Sequence, residues 1–227
     1  MNKYKWMSAD FGVSLATVGE RLRKVEFNLS DDDSEGFRIE ERSVSRLRGV
    51  FVERETSIEH FSLPTGHEYE EKRTRVTVTE FVATREASLN MLLVNPPRRT
   101  LPFFNAISLA TNFRFSVESL DVDVLKWVRS LEREVGDVSV TFLDCNSIQL
   151  SPEITGRFAF RGVRDVRTEA RRATKAANVA VECARCELSL DGQRATVELF
   201  RSGAAKVISP MDELFVGVLH KSLVGAQ

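Results

Sequence analysis

The sequence predicts an α+β protein with extended antiparallel sheet in two β-rich lobes, each covered by a helix. Three observations predict it. Short segments rich in β-branched and aromatic residues, alternating with polar ones, fill the first and last thirds of the chain. Both thirds run in a β-β-β-α order, which reads as an internal pseudo-repeat. One strongly amphipathic helix lies between them. The expected divisions are an N-terminal helix and acidic loop at 1–41, a first lobe at 42–112, a central β-α-β element and basic helix at 113–177, and a second lobe at 178–227.

Taken in order, Ser14 to Val25 spaces Leu15, Val18, Leu22 and Val25 along one helical face. Gly12, Val13 and Ser14, with Val18 and Leu22 after them, resemble the turn and second helix of a helix-turn-helix DNA-binding motif. That motif needs a helix before its turn, and the residues before Phe11 lack apolar periodicity, so a plain helix docked on the sheet is expected. From 26 to 41, seven acids (Glu26, Asp31, Asp32, Asp33, Glu35, Glu40, Glu41) stand against Arg38. This stretch reads as a solvated, mobile loop.

Residues 46–61 and 74–83 read as strands, and in the second Val76, Val78 and Val82 alternate with Arg75, Thr77 and Thr79. The polar stretch 62–72 reads as their hairpin connection. A third strand over 88–94 stops at Pro96-Pro97, and a short helix follows from Leu101 to Ala110. Phe113, Phe115 and Val117 alternate as a strand. Leu120, Val124, Trp127, Val128, Leu131 and Val135 then share one helical face until Gly136. Residues 138–143 and 147–151 read as two strands.

In the last third, 178–190, 194–201 and 204–209 read as strands, the first two joined at Asp191-Gly192. A helix follows, opened by Ser209 as cap with Pro210 in its first turn. "RVTVTEF" (75–81) in the first lobe resembles "RATVELF" (194–200) in the second.

With 42% hydrophobic and 29% charged residues the chain belongs to the globular class. No apolar run approaches the roughly 18 residues of a spanning helix, so no membrane partner is expected. The first ten residues lack the pattern of a secretory signal. Three cysteines cannot all pair within one chain, which fits a reducing compartment, and the expected location is cytoplasmic.

Candidate chemistry is sparse. Cys183 and Cys186 have the spacing of half a zinc site, but they sit inside a strand, without a turn to converge them and without two further ligands. Burial as small hydrophobes is the expectation. Glu70 and Lys72 have a spacing seen in nucleases, yet they occur in a polar connection where solvated charge is the simpler reading. No Gly-x-Ser-x-Gly elbow, phosphate-cradling glycine loop or paired helical histidines occur. No catalytic residue, metal or cofactor is therefore assigned.

One feature stands out. Between 157 and 175, seven bases (Arg157, Arg161, Arg164, Arg167, Arg171, Arg172, Lys175) face only Asp165 and Glu169. Read as a helix, residues 161–177 put Val163, Val166, Ala170, Ala173 and Ala177 on an apolar stripe and sort Arg161, Arg164, Arg167, Arg171, Arg172 and Lys175 onto one flank within roughly 140°. A row of guanidinium forks suits phosphate oxygens along a polyanion. The expected function is a non-enzymatic nucleic-acid-binding or regulatory protein that contacts DNA or RNA through these seven residues. The alternative is an interaction subunit of a larger cytoplasmic assembly, a homodimer or hetero-complex, in which the basic face docks on an acidic protein surface such as the 26–41 segment.

Overall fold

A computed structural model of the protein describes residues 1–28, 33–85, 88–151, 153–174 and 179–227. Among them are eleven strands and five helices, an α+β composition with antiparallel sheet. The chain divides into an N-terminal unit, Ala9–Val117, and a C-terminal unit made of Met1–Ser8 and Glu118–Gln227.

Strand β1 (Asn2–Asp10) precedes α1 (Leu15–Arg23). A strand in this place overturns the helix-turn-helix resemblance, since that motif requires a helix there. The plain helix is what forms. Ser14 caps it by accepting a hydrogen bond from the Thr17 backbone N–H, and Leu15, Val18 and Leu22 are buried. Val25 lies beyond the last turn and is exposed.

The N-terminal unit continues with β2 (Glu35–Arg42), β3 (Arg46–Ser62), β4 (Glu68–Thr84), β5 (Met91–Val94) and α2 (Leu101–Ala110). Its sheet order is β2-β3-β4-β5, all antiparallel. The 26–41 stretch is therefore only partly loop: Glu35, Glu40 and Glu41 ride on edge strand β2, while Asp31 and Asp32 lie outside the described residues. Phe37 drives that pairing, because it is 1% exposed and packs against Phe51, Phe81 and Phe103 at centroid distances of 5.0, 6.1 and 6.3 Å. Gly36 is needed beside it, since a Cβ there would meet the Phe27 backbone at 2.7 Å.

The β3–β4 hairpin closes over five residues, so the strands absorb Glu68 to Lys72, which polar composition places in the connection. The period-two alternation of β4 is present with its faces reversed. Thr79, Phe81 and Ala83 point inward opposite Phe51, Gly49 and Leu47, whereas Val76 and Val78 are about half exposed. Met91 and Leu93 of β5 and Phe103 and Ile107 of α2 complete this core.

Strand β6 (Ser116–Glu118) is shorter than expected. Phe113 sits before it at φ 58° and is 77% exposed, so the predicted strand loses its first residues. The C-terminal unit then contains α3 (Val124–Val135), β7 (Val138–Ser151), β8 (Ile154–Arg161), α4 (Arg167–Ala173), β9 (Ala180–Leu190), β10 (Gln193–Phe200), β11 (Ala204–Ile208) and α5 (Asp212–Val224). Its sheet order is β1-β11-β10-β9-β7-β8, antiparallel throughout.

Helix α3 follows the sequence closely. Asp123 accepts a hydrogen bond from the Lys126 backbone N–H, Gly136 ends the helix at φ 87°, and Val124, Trp127, Val128 and Leu131 are buried. It packs on β9 and against α5. The Trp127 indole N–H donates to the Ser222 hydroxyl at 3.0 Å, so the buried ring leaves no polar atom unpaired. Trp6 meets Trp127 edge-on at 6.2 Å and stacks on His220.

The two strands expected between 138 and 151 are one, β7, which stays continuous because irregularities near Thr141 and after Cys145 let it track both β8 and β9. Asp191 and Gly192, at φ 50° and 78°, make the tight turn between β9 and β10. Ser209 accepts from the Met211 backbone N–H and α5 begins at Asp212, three residues after the expected cap. Both β-β-β-α meanders exist, β3-β4-β5-α2 and β9-β10-β11-α5. The likeness between 75–81 and 194–200, however, aligns buried Ala195, Val197 and Leu199 with the outer face of β4, so it is a likeness of strand composition.

Candidate functional site

The predicted basic helix is the main correction. The stretch 157–175 is two different elements joined by a bend. Arg157 and Arg161 belong to edge strand β8, Arg164 lies in the bend, and only Arg167, Arg171 and Arg172 belong to α4, which is seven residues long. Lys175, and Ala177 of the proposed stripe, lie outside the described residues. Val166 and Ala170 are buried as the stripe required, but Val163 is 97% exposed and Ala173 is exposed as well. Residues 154–161 pair with β7 in a ladder running from Phe142↔Arg161 to Ser151↔Ile154, and Phe158 and Phe160 alternate there as a strand requires.

Several of these arginines are already engaged. Arg157 holds Asp144 with both guanidinium arms, its Nε 2.8 Å from Oδ1 and its Nη2 on Oδ2. This hydrogen bonding keeps the largely buried Asp144 carboxyl below the usual carboxylate range, against the opposing effect of burial. Arg167 reaches both Asp165 oxygens, the Val138 carbonyl at 3.3 Å and Glu132 at 2.6 Å. It is a structural clamp, because Asp165 also accepts from the backbone N–H groups of Arg167 and Val140 and so fixes the bend against β7. Arg172 pairs with Glu169 one turn back, at 2.9 Å. Arg161 stands 5.7 Å over the Phe142 ring.

Arg164 and Arg171 are exposed and make no ion pair among the described residues. Arg171 lines a cavity of about 290 Å³ whose apolar walls include Leu125, Leu143, Cys145, Ala170 and Val181, and whose other cations are Arg129 and Arg167. Arg129 belongs to α3, where Lys126, Arg129 and Arg133 recur at spacings of three and four on the solvent face. Lys126, Arg129 and Arg133 line a neighbouring groove together with Glu132 and Gly225. None of these three forms an ion pair among the described residues. The apolar periodicity of α3 marks only its buried face. Its polar face carries the signal in the same periodicity.

The structure therefore brings Arg171 to Arg129, ties Arg167 and Arg157 into internal pairs, and adds Lys126 and Arg133. Such a surface can take up phosphate or carboxylate oxygens at its guanidinium and ammonium donors. Cys145 sits at the cavity wall with its thiol pushed up by burial. Cys183 and Cys186 lie on β9, the first half-buried and the second fully buried, and desolvation raises their thiols to about 11 and about 12. Residues three apart on a strand face opposite ways, so these two do not converge on one ion. Among the described residues no group of three His, Cys, Asp or Glu side chains could hold a metal. Glu70 and Lys72 project from exposed β4, Glu70 next to His60 at 3.2 Å. Among the described residues no helix is long and apolar enough to cross a membrane.

No protein-family model matches the chain, and no curated protein sequence matches it significantly.

Proposed function

We propose that the protein binds the phosphates of a nucleic acid through the surface that α3 and α4 form in the C-terminal unit, with Lys126, Arg129, Arg133, Arg164 and Arg171 as the contacting cations. One observation carries the reading. These five bases make no ion pair among the described residues, and Arg129 and Arg171 line one cavity from two different helices. A cluster of unneutralised cations is the electrostatic footprint of a polyanion partner. No base-reading side chain is identified, so phosphate contact sets affinity and sequence preference is weak. The three free thiols suit the cytoplasm as its setting.

The test is a binding titration with short DNA and RNA at several salt concentrations, wild type beside R129E/R171E. Losing two phosphate contacts lowers the slope of log affinity against log salt by about 1.8 on duplex DNA. Equal binding by the variant, or no binding by the wild type at low salt, refutes the reading.

A further inference from the structure

The two longest strands of the protein form a surface that the phosphate reading leaves unused. Strand β2 covers β3 only as far as Glu53, and β5 covers β4 only from Ala83 to Glu80. One more backbone bond, from the Arg54 N–H to the Ser34 carbonyl, is the last anchor. From there the rows Glu55↔Arg75 to Ser62↔Glu68 pair only with each other among the described residues. At about 3.4 Å per residue the ribbon from Arg54 to Ser62 is roughly 30 Å long. Residues 62–76 are exposed throughout, and so are both faces of most rows. A two-stranded ribbon is marginally stable by itself in water, so an arm of this length gains from being covered.

Its charge is sorted along its axis. The tip, residues 59–71, holds Glu59, Glu68, Glu70 and Glu71 with no lysine or arginine, while the root holds Arg54, Lys72, Arg73 and Arg75 against Glu55. One face repeats this order row by row, as Glu55/Arg75, Ser57/Arg73, Glu59/Glu71 and Phe61/Tyr69. The directly opposed Glu59 and Glu71 repel each other and share Arg73 at 3.2 and 3.5 Å. Arg75 makes no ion pair among the described residues, and Tyr69 stacks on Phe61 at 5.2 Å with about half of its surface in solvent.

We propose that this face is a contact between two copies of the chain, whose ribbons lie antiparallel about a two-fold axis between the Ser57/Arg73 and Glu59/Glu71 rows. The face is self-complementary only in that sense. Arg73 of one copy lies over the acidic pair of the other, and Arg75 lies over the other copy's Phe61–Tyr69 rings, a cation–π arrangement. A parallel arrangement would set acid on acid. The contact lies in the N-terminal unit and shares no residue with the basic surface on α3 and α4, so its failure leaves the phosphate reading standing.

Sedimentation of the full chain at micromolar concentration and two salt levels tests it. The wild type doubles its mass at low salt and returns toward monomer at high salt. E59K/E71K and R73E/R75E are each monomeric, and their equimolar mixture regains the doubled mass, which also shows that both ribbons still fold. E70K/K72E, on the opposite face, leaves the dimer intact. A wild type that stays monomeric at low salt overturns the proposal, as does undiminished dimerisation of either charge-reversed variant, failure of the mixture to associate, or loss of the dimer in E70K/K72E.

Discussion

The Arg167 guanidinium lies 2.6 Å from the Glu132 carboxylate, and this ion pair ties α4 to α3. Arg171 is one helical turn further along α4 and reaches the cavity it shares with Arg129 because that tie holds the short helix in place. Glu132→Gln should lower stability by about 1–2 kcal/mol, toward the low end for a charged hydrogen bond because both partners are partly exposed. Phosphate binding should hold or rise at the same time, because the substitution removes a carboxylate from the groove that Lys126, Arg129 and Arg133 line. Arg171→Glu should weaken binding with stability unchanged, and Arg167→Glu should lower both. Chemical denaturation and the salt titration, run on the same three variants, check the separation.

Acid should loosen the bend that Asp165 holds. Burial by itself would raise this carboxyl, but hydrogen bonds from the Arg167 side chain and from the Arg167 and Val140 backbone, together with the Arg167 charge, outweigh it and hold the carboxyl below the usual carboxylate range. A depressed folded-state value means that the contribution is fully present above the unfolded value of about 3.9 and is lost as pH falls through the lower folded value. Asp165→Asn should therefore be less stable than wild type at neutral pH, and the gap should narrow on acidification below about pH 4. Urea midpoints across that range give the answer, and a gap that widens on acidification contradicts the assignment.

The reversed faces of β4 make neighbouring residues differ sharply. Phe81 is 1% exposed among Phe37 and Phe103, so Phe81→Ala should cost about 3–5 kcal/mol. Val78→Lys, three residues earlier on the outer face, should stay within about 0.5 kcal/mol. A larger loss at Val78 than at Phe81 would mean that the strand is in the other register.

The thiols should be sluggish. With burial raising Cys183 to about 11 and Cys186 to about 12, little thiolate exists near pH 8. Alkylation of the native protein should reach half-buried Cys183 first and Cys186 only on unfolding, as peptide mass mapping over time would show.

What could be read from the residues was whatever depends on near neighbours. The face of α3 through Val124, Trp127, Val128 and Leu131, its stop at Gly136, the Ser14 cap of α1 and the Asp191-Gly192 turn all follow from spacings of a few residues and from local backbone chemistry. The order of strands in both thirds follows in the same way from period-two patterning.

Tertiary structure decided the rest. Residues 157–161 became strand by pairing with β7, a pairing that the alternation of Phe158 and Phe160 with Arg157, Ala159 and Arg161 already suits but that the count of arginines masks. The inward face of β4 was set by what stands opposite it, Gly49 and Phe51 across the ladder. Most of all, the fate of Arg157 and Arg167 depended on carboxylates further away in the chain, although Arg172 pairs locally with Glu169. Arg157 found Asp144 and Arg167 found Glu132, leaving Arg129 and Arg171 to meet at one cavity. Charge is legible in a sequence, but neutralisation is a matter of distance in space, and Coulomb interaction falls off over a few ångströms that only folding specifies.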